Sequence, residues 1–210
     1  MEVSVSILNS VDRIGDTIKL NNTSCDYLHI DVMDGEFVPD TQFSIDEIIK
    51  LIKVSNKKVD IHLMVNNPLY YIEKLLGYDI EYITFHYEID RDIDYLIDII
   101  KDNNIKVGMS IKPNTDVSEI INYLDRLDLV LIMSVEPGKG GQSFIEESYD
   151  KVRSLKKIIN DRNLDIKIEI DGGVKDSNIK LISESGVDIS VVGSFITKSY
   201  DFEDSIKKLK

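Results

Sequence analysis

The sequence predicts an α/β fold, a single (β/α)8 TIM barrel occupying residues 1–210. Two observations carry that expectation. Eight short β-rich runs fall at residues 3–8, 27–31, 59–64, 82–85, 106–111, 129–135, 165–171 and 188–192, and helix-like segments separate them. No linker, low-complexity stretch or charge block interrupts this alternation, so one closed barrel is favoured over an open doubly wound sheet or two small domains.

Helix starts lie where the barrel needs them. Ser44 to Glu47, Asp116 to Glu119 and Ser143 to Glu146 read as capping boxes, and Asn67-Pro68 reads as an N-cap followed by proline at the first helical position. Apolar residues at helical spacing follow, such as Ile48, Leu51 and Ile52, or Leu155, Ile158 and Ile159.

Composition narrows the function. Hydrophobic residues make up 42% and charged residues 30% of the chain, a balance that supports a folded core. The net charge of -13 and the lack of a basic run exclude a nucleic-acid phosphate backbone as a partner. An acidic protein can still bind a small anion in a local pocket of backbone N–H groups. No apolar run approaches a membrane span and the N-terminus lacks a signal pattern, so no membrane partner and a cytoplasmic location are expected. The single Cys25 reads as a small core residue.

In a barrel, the residues that matter chemically sit at the C-terminal ends of the strands. His29, His62, His86, Asp31 and Asp171 are all placed there. His29 and Asp31 are two apart on one strand and share a face. With His62 ending the next strand and Asp171 the seventh, four N/O ligands converge on one mouth. That set suits one divalent ion, Zn, Fe(II), Mn or Co, and the absence of thiolates points to a catalytic metal. His86 has no carboxylate partner of this kind and reads as structural, or as a support for a ligand. Met33, Met64 and Met133 also sit late in strands, as an apolar collar or as core filling.

Three glycine-bearing loops follow the sixth, seventh and eighth runs: Gly138-Lys139-Gly140-Gly141, Gly172-Gly173 and Gly193-Ser194. Together they form an expected phosphate cup, since glycine lets backbone N–H groups approach an anion closely.

At these residues the sequence resembles the ribulose-phosphate 3-epimerase family. The matching segments are Ser6-Ile7-Leu8, His29 to Gly35 with Phe37-Val38-Pro39, Asp60-Ile61-His62-Leu63-Met64, Met133 to Gly138, Gly140 to Phe144, Glu169 to Gly173, and Gly193-Ser194. They occur in family order and cover essentially the whole chain. The resemblance implies that His29, Asp31, His62 and Asp171 hold the metal, with Asp31 and Asp171 as the paired acid/base groups. It further implies substrate contacts from Ser6, His62, the loop Gly138 to Gly141, Asp171, Gly172, Gly173, Gly193 and Ser194. Where the family usually has Phe this chain has Lys139, which either adds charge near the phosphate or faces solvent.

The implied reaction interconverts D-ribulose 5-phosphate and D-xylulose 5-phosphate. One Asp removes the C3 proton and the other returns a proton to the opposite face, while the metal stabilises the developing charge. The resemblance also implies a homo-oligomer. Rival expectations are a 3-epimerase of D-allulose 6-phosphate and a non-catalytic sugar-phosphate sensor. A hexulose-phosphate synthase is disfavoured, because those enzymes carry Asp-x-Lys where this chain reads Asp31-Val32-Met33.

Overall fold

In the computed structural model, which describes residues 1–210, the strands are β1 (Glu2–Ser6), β2 (Tyr27–Asp34), β3 (Thr41–Gln42), β4 (Lys58–Met64), β5 (Tyr82–His86), β6 (Lys106–Ile111), β7 (Leu129–Met133), β8 (Lys167–Asp171) and β9 (Ile189–Val192). Eight of them are parallel and close into a ring, because β1 pairs with β9 on one side and with β2 on the other. The (β/α)8 barrel is therefore the fold. The remaining strand, β3, lies antiparallel against the end of β2 through Met33 and Asp34.

The helices are α1 (Arg13–Leu20), α2 (Ile45–Val54), α3 (Pro68–Leu75), α4 (Ile93–Asp102), α5 (Ser148–Asp161), α6 (Ile179–Ser185), α7 (Ser194–Thr197) and α8 (Phe202–Lys207). Their apolar faces meet the outward faces of the strands. On β2, Leu28, Ile30 and Val32 join this outer core, as do Ile61 and Leu63 on β4 and Val130 and Ile132 on β7. Burying each such side chain stabilises the fold by roughly 1.5–3 kcal/mol. Cys25 is buried, and burial pushes its thiol pKa up, as befits a core residue.

The alternate residues point into the barrel, where the lining is divided. Tyr27, Tyr82, Leu129, Leu131, Met133 and Ile189, from β2, β5, β7 and β9, form an apolar cluster. Ser4, Ser6, His29, Asp31, Asp60, His62, Thr84, His86, Ser110 and Glu169 are also buried, some on the same strands, since His29 and Asp31 follow Tyr27 on β2, and Thr84 and His86 follow Tyr82 on β5. Barrel interiors are usually filled by branched aliphatic residues. So much buried polarity requires a use.

The helix expectations need three corrections. Ser44 caps α2 by accepting from Glu47 N–H, but Ser143 caps no helix. The Ile145 N–H is drawn across to the Ser134 carbonyl at 2.8 Å, so the chain turns once more and α5 begins only at Ser148. Asp116 does accept from Ser118 N–H, yet it caps a short 3-10 turn at Val117–Ile120, followed by another at Leu124–Arg126. The buried pairs Val117/Ile120 and Leu124/Leu127 are each three apart, which is the 3-10 repeat. Pro68 opens α3, but Asn67 makes no side-chain cap.

Lys151 on α5 ties this irregular region down. Its ammonium donates to the carbonyls of Lys112, Pro113 and Thr115 at 3.0, 2.6 and 2.7 Å, clamping the loop after β6. Lys151→Met should therefore cost about 1–3 kcal/mol in urea unfolding, because three carbonyls lose their charged donor. A loss below about 0.5 kcal/mol, the level of an ordinary surface substitution, would show that the clamp contributes nothing.

Candidate active site

Period two along β2, β4 and β8 aims His29, Asp31, His62 and Asp171 at one point. One ligand-type atom from each lies within 4.8 Å of the others. His29 and His62 are fully buried, Asp31 is 3% exposed, and the Asp171 side chain is 18% exposed at the rim. The sequence-predicted ligand set is thus brought together.

Each ring has one nitrogen engaged by the protein and one facing the cluster. His29 Nδ1 lies 2.6 Å from Asp60 Oδ2, while its Nε2 makes no hydrogen bond although Asp31 Oδ1 is 3.2 Å away. His62 Nδ1 is 3.3 Å from Asp31 Oδ1 and 3.9 Å from Asp171 Oδ2, and its Nε2 is 2.9 Å from His86 Nε2. The Ser6 hydroxyl donates to Asp31 Oδ2 at 2.7 Å. A buried imidazole nitrogen without a partner, aimed at two carboxylates, fits a divalent cation. The family expectation of a metal and the residues present therefore agree.

Charge in the metal-free cluster is distributed unevenly. Burial opposes a charged His29, but Asp60 and Asp31 outweigh it and hold its pKa well above the ordinary value. Burial raises Asp31, yet His29 and His62 more than reverse this and hold it well below the carboxylate range. For Asp171, burial first and then the charge of Asp31 push the pKa up to about 7. Burial lowers the pKa of both His62 and His86, the latter to about 4.

A second polar layer lies beneath the first. Asp60 and Glu169 sit two residues before His62 and Asp171, and both are buried beside His29. Ser4 donates to Asp60 Oδ2 at 2.9 Å, but Asp60 Oδ1 and both Glu169 oxygens lack partners. Burial, and next the Asp60 charge, hold the Glu169 pKa well above normal. A proton on Glu169 supplies the donor that this carboxyl pair needs. Sequence reasoning gave these two residues no role, although the spacing rule that paired His29 with Asp31 would have placed them.

Above the cluster opens a cavity of about 320 Å³. Asp31 and Asp171 line it, with Ser6, Met33, Met64 and Met133, whereas His29 and His62 lie below its floor. The far wall is built from Gly138, Lys139, Gly140, Gly141, Gly172, Gly173, Gly193 and Ser194. Gly173 has φ +65°, and a Cβ there would lie 2.5 Å from the Phe144 backbone nitrogen, so the two loops meet too closely for any side chain. Lys139 is exposed at the rim, as are Lys175 and Lys198, which sequence reasoning did not single out.

The sequence profile of the ribulose-phosphate 3 epimerase family matches residues 2–197. The chain belongs to this family. The ribulose-phosphate 3-epimerase of Aquifex aeolicus is 40% identical, the alignment covering 88% of this chain and 83% of the relative. That of Escherichia coli K12 is 35% identical over 99% of this chain and 94% of its own. Among solved structures, a mutant tryptophan synthase alpha-subunit from Pyrococcus furiosus aligns with a TM-score of 0.76 at 15% identity, covering 99% of this chain and 96% of that one. A 3-hexulose-6-phosphate synthase from Salmonella typhimurium gives 0.69 at 15% identity, covering 100% and 96%. These two show the barrel alone. Family membership makes the chain an isomerase of the carbohydrate-epimerase class, and no helix is long and apolar enough to cross a membrane.

The charge distribution predicts how metal binding responds to pH. A cation at His29 Nε2 must displace the proton that Asp60 and Asp31 retain there, and below about pH 7 it must also displace one from Asp171. Affinity for Zn²⁺ should therefore rise with pH, more steeply below about pH 7, where Asp171 also carries a proton, than above it, in chelator-competition titrations. A dissociation constant flat between about pH 6 and 8 would contradict this distribution of protons.

Proposed function

We propose that the chain interconverts D-ribulose 5-phosphate and D-xylulose 5-phosphate by inverting C3 with two bases, Asp31 and Asp171. The observation that carries this reading is the position of these two carboxylates. Both line the cavity, and their environments drive them apart, one held ionised and the other protonated up to about pH 7. A reaction that takes a proton from one face of a carbon and returns one to the other needs such a pair. Their strands are three positions apart round the ring, with β1 and β9 between them, so the carboxylates approach the cavity from different sides.

The metal would be held by His29 Nε2, His62 Nδ1, Asp31 and Asp171 as one divalent ion, Zn, Fe(II), Mn or Co. When bound, it supplies Lewis-acid stabilisation of the negative charge that develops on the substrate oxygens as the proton leaves. Ser6 orients Asp31 through its hydroxyl. Met33, Met64 and Met133, each no more than 2% exposed, give the cavity a wall that excludes water. The glycine loops would present backbone N–H groups to the phosphate. Lys139 lines the cavity beside these loops, which favours a role near that dianion over simple exposure. The sugar phosphate is the expected partner, and a homo-oligomer remains the family's implication.

Asp31→Asn and Asp171→Asn should each lower kcat by about 10²–10⁴-fold while leaving the circular dichroism spectrum unchanged. Chelation should abolish wild-type turnover, and one of the four metals should restore it. Either Asn variant retaining near-normal activity would overturn the two-base assignment.

A further inference from the structure

His62 meets the ligand cluster through Nδ1, and that nitrogen can coordinate only if the ring proton resides on Nε2. The cluster itself does not enforce this choice, since the ionised Asp31 Oδ1, 3.3 Å from Nδ1, draws a proton there whenever no cation takes that place. The Nε2 atom faces away, 2.9 Å from His86 Nε2, and both rings are fully buried. Two imidazole nitrogens at that distance share a single proton. Were His86 to donate it, the proton of His62 would reside on Nδ1 and close the ligand position.

Glu88 resolves the ambiguity. Its Oε2 lies 3.1 Å from His86 Nδ1, and an ionised carboxylate can only accept. The His86 proton is therefore drawn to Nδ1, leaving its Nε2 as an acceptor for the Nε2–H of His62. The other oxygen, Oε1, accepts from the Lys112 backbone N–H at 2.7 Å and from the Thr115 hydroxyl at 2.5 Å. The Lys112 N–H cannot reverse its direction. It belongs to the loop that Lys151 clamps through three carbonyls, so the polarity of the chain originates in a fixed backbone donor.

We propose that Glu88 is a positioning residue that acts through His86 to keep the His62 proton on Nε2 and leave Nδ1 open toward the metal. This inference rests on His62 being a ligand. It assigns a direction to every hydrogen bond from Lys112 to the metal centre, and it makes Glu88→Gln a more informative substitution than removal. In Glu88→Gln the Lys112 N–H retains the amide oxygen, which turns the NH₂ group toward His86 Nδ1. The two rings would then reverse their tautomers, and His62 would present N–H to the site.

The test uses the full chain loaded with Zn²⁺. Glu88→Gln should raise the Zn²⁺ dissociation constant about 10- to 100-fold in competition with a chromophoric chelator, with the melting temperature of the metal-free protein little changed. Thr115→Val, which retains the carboxylate and its backbone donor, should stay within about threefold of wild type, since it removes only one neutral donor. In ¹⁵N-histidine two-bond correlation spectra, wild-type His86 should show the Nδ1–H pattern and Glu88→Gln the Nε2–H pattern. An unchanged dissociation constant in Glu88→Gln, or an Nε2–H pattern for His86 in the wild type, would overturn the proposal. The wild-type spectrum decides by itself if the variant does not fold. A wild-type chain that binds no Zn²⁺ would instead refute the ligand set on which the inference rests.

Discussion

Two carboxylates and two imidazoles enclosed within 4.8 Å of one another cannot remain as they are without a positive charge among them. Burying even one unpaired carboxylate is costly, and here the neighbours Asp60 and Glu169 add more acidic groups below. Among themselves these groups favour protons: the pKa values of His29 and Glu169 are held well above their ordinary ranges, and that of Asp171 is pushed up to about 7. A divalent cation answers the same requirement without occupying the carboxylates with protons. On the proposed reading, one kind of positive charge replaces the other where two carboxylates face a cavity.

The barrel makes this arrangement affordable by separating its two faces. Outward residues of the strands supply an aliphatic core against the helices, which leaves many of the inward residues free to be polar. Three groups of the cluster each have a partner that fixes their orientation: Ser6 for Asp31, Asp60 for His29, and His86 for His62. The His29 Nε2 atom is left without a partner, as are Asp60 Oδ1 and both Glu169 oxygens below it, and it is aimed at the place where the ligand set converges. Rigid strands hold these groups, and the loops above them vary in length and chemistry.

Much of this was legible in the sequence because strand geometry is periodic. A two-residue spacing places His29 with Asp31, and the ends of β4 and β8 add His62 and Asp171. The same rule applied one step lower gives Asp60 and Glu169, which were passed over because a buried acid beneath a site has no motif of its own. Glu88 lies two residues beyond His86, past the end of β5, where the strand rule no longer says which way a side chain points. Its role depends on a loop donor 24 residues away. The Ser143 box failed for a similar reason, since a tertiary bond from Ile145 to Ser134 overrode a local capping preference. At two residues, β3 is too short to show any alternation.

The glycine loops show how local and tertiary demands combine at the mouth. Gly173 is required by a positive φ and by the approach of the Phe144 backbone, so its presence is a matter of packing as much as of anion binding. The central claim is that the cluster below is a metal site with a defined choice of ring nitrogens. Anomalous diffraction from a crystal of the Zn²⁺-loaded chain tests it most directly. A single peak about 2.0–2.2 Å from His29 Nε2, His62 Nδ1, Asp31 and Asp171 is the predicted result. A peak elsewhere, or one coordinated through His62 Nε2, would contradict it.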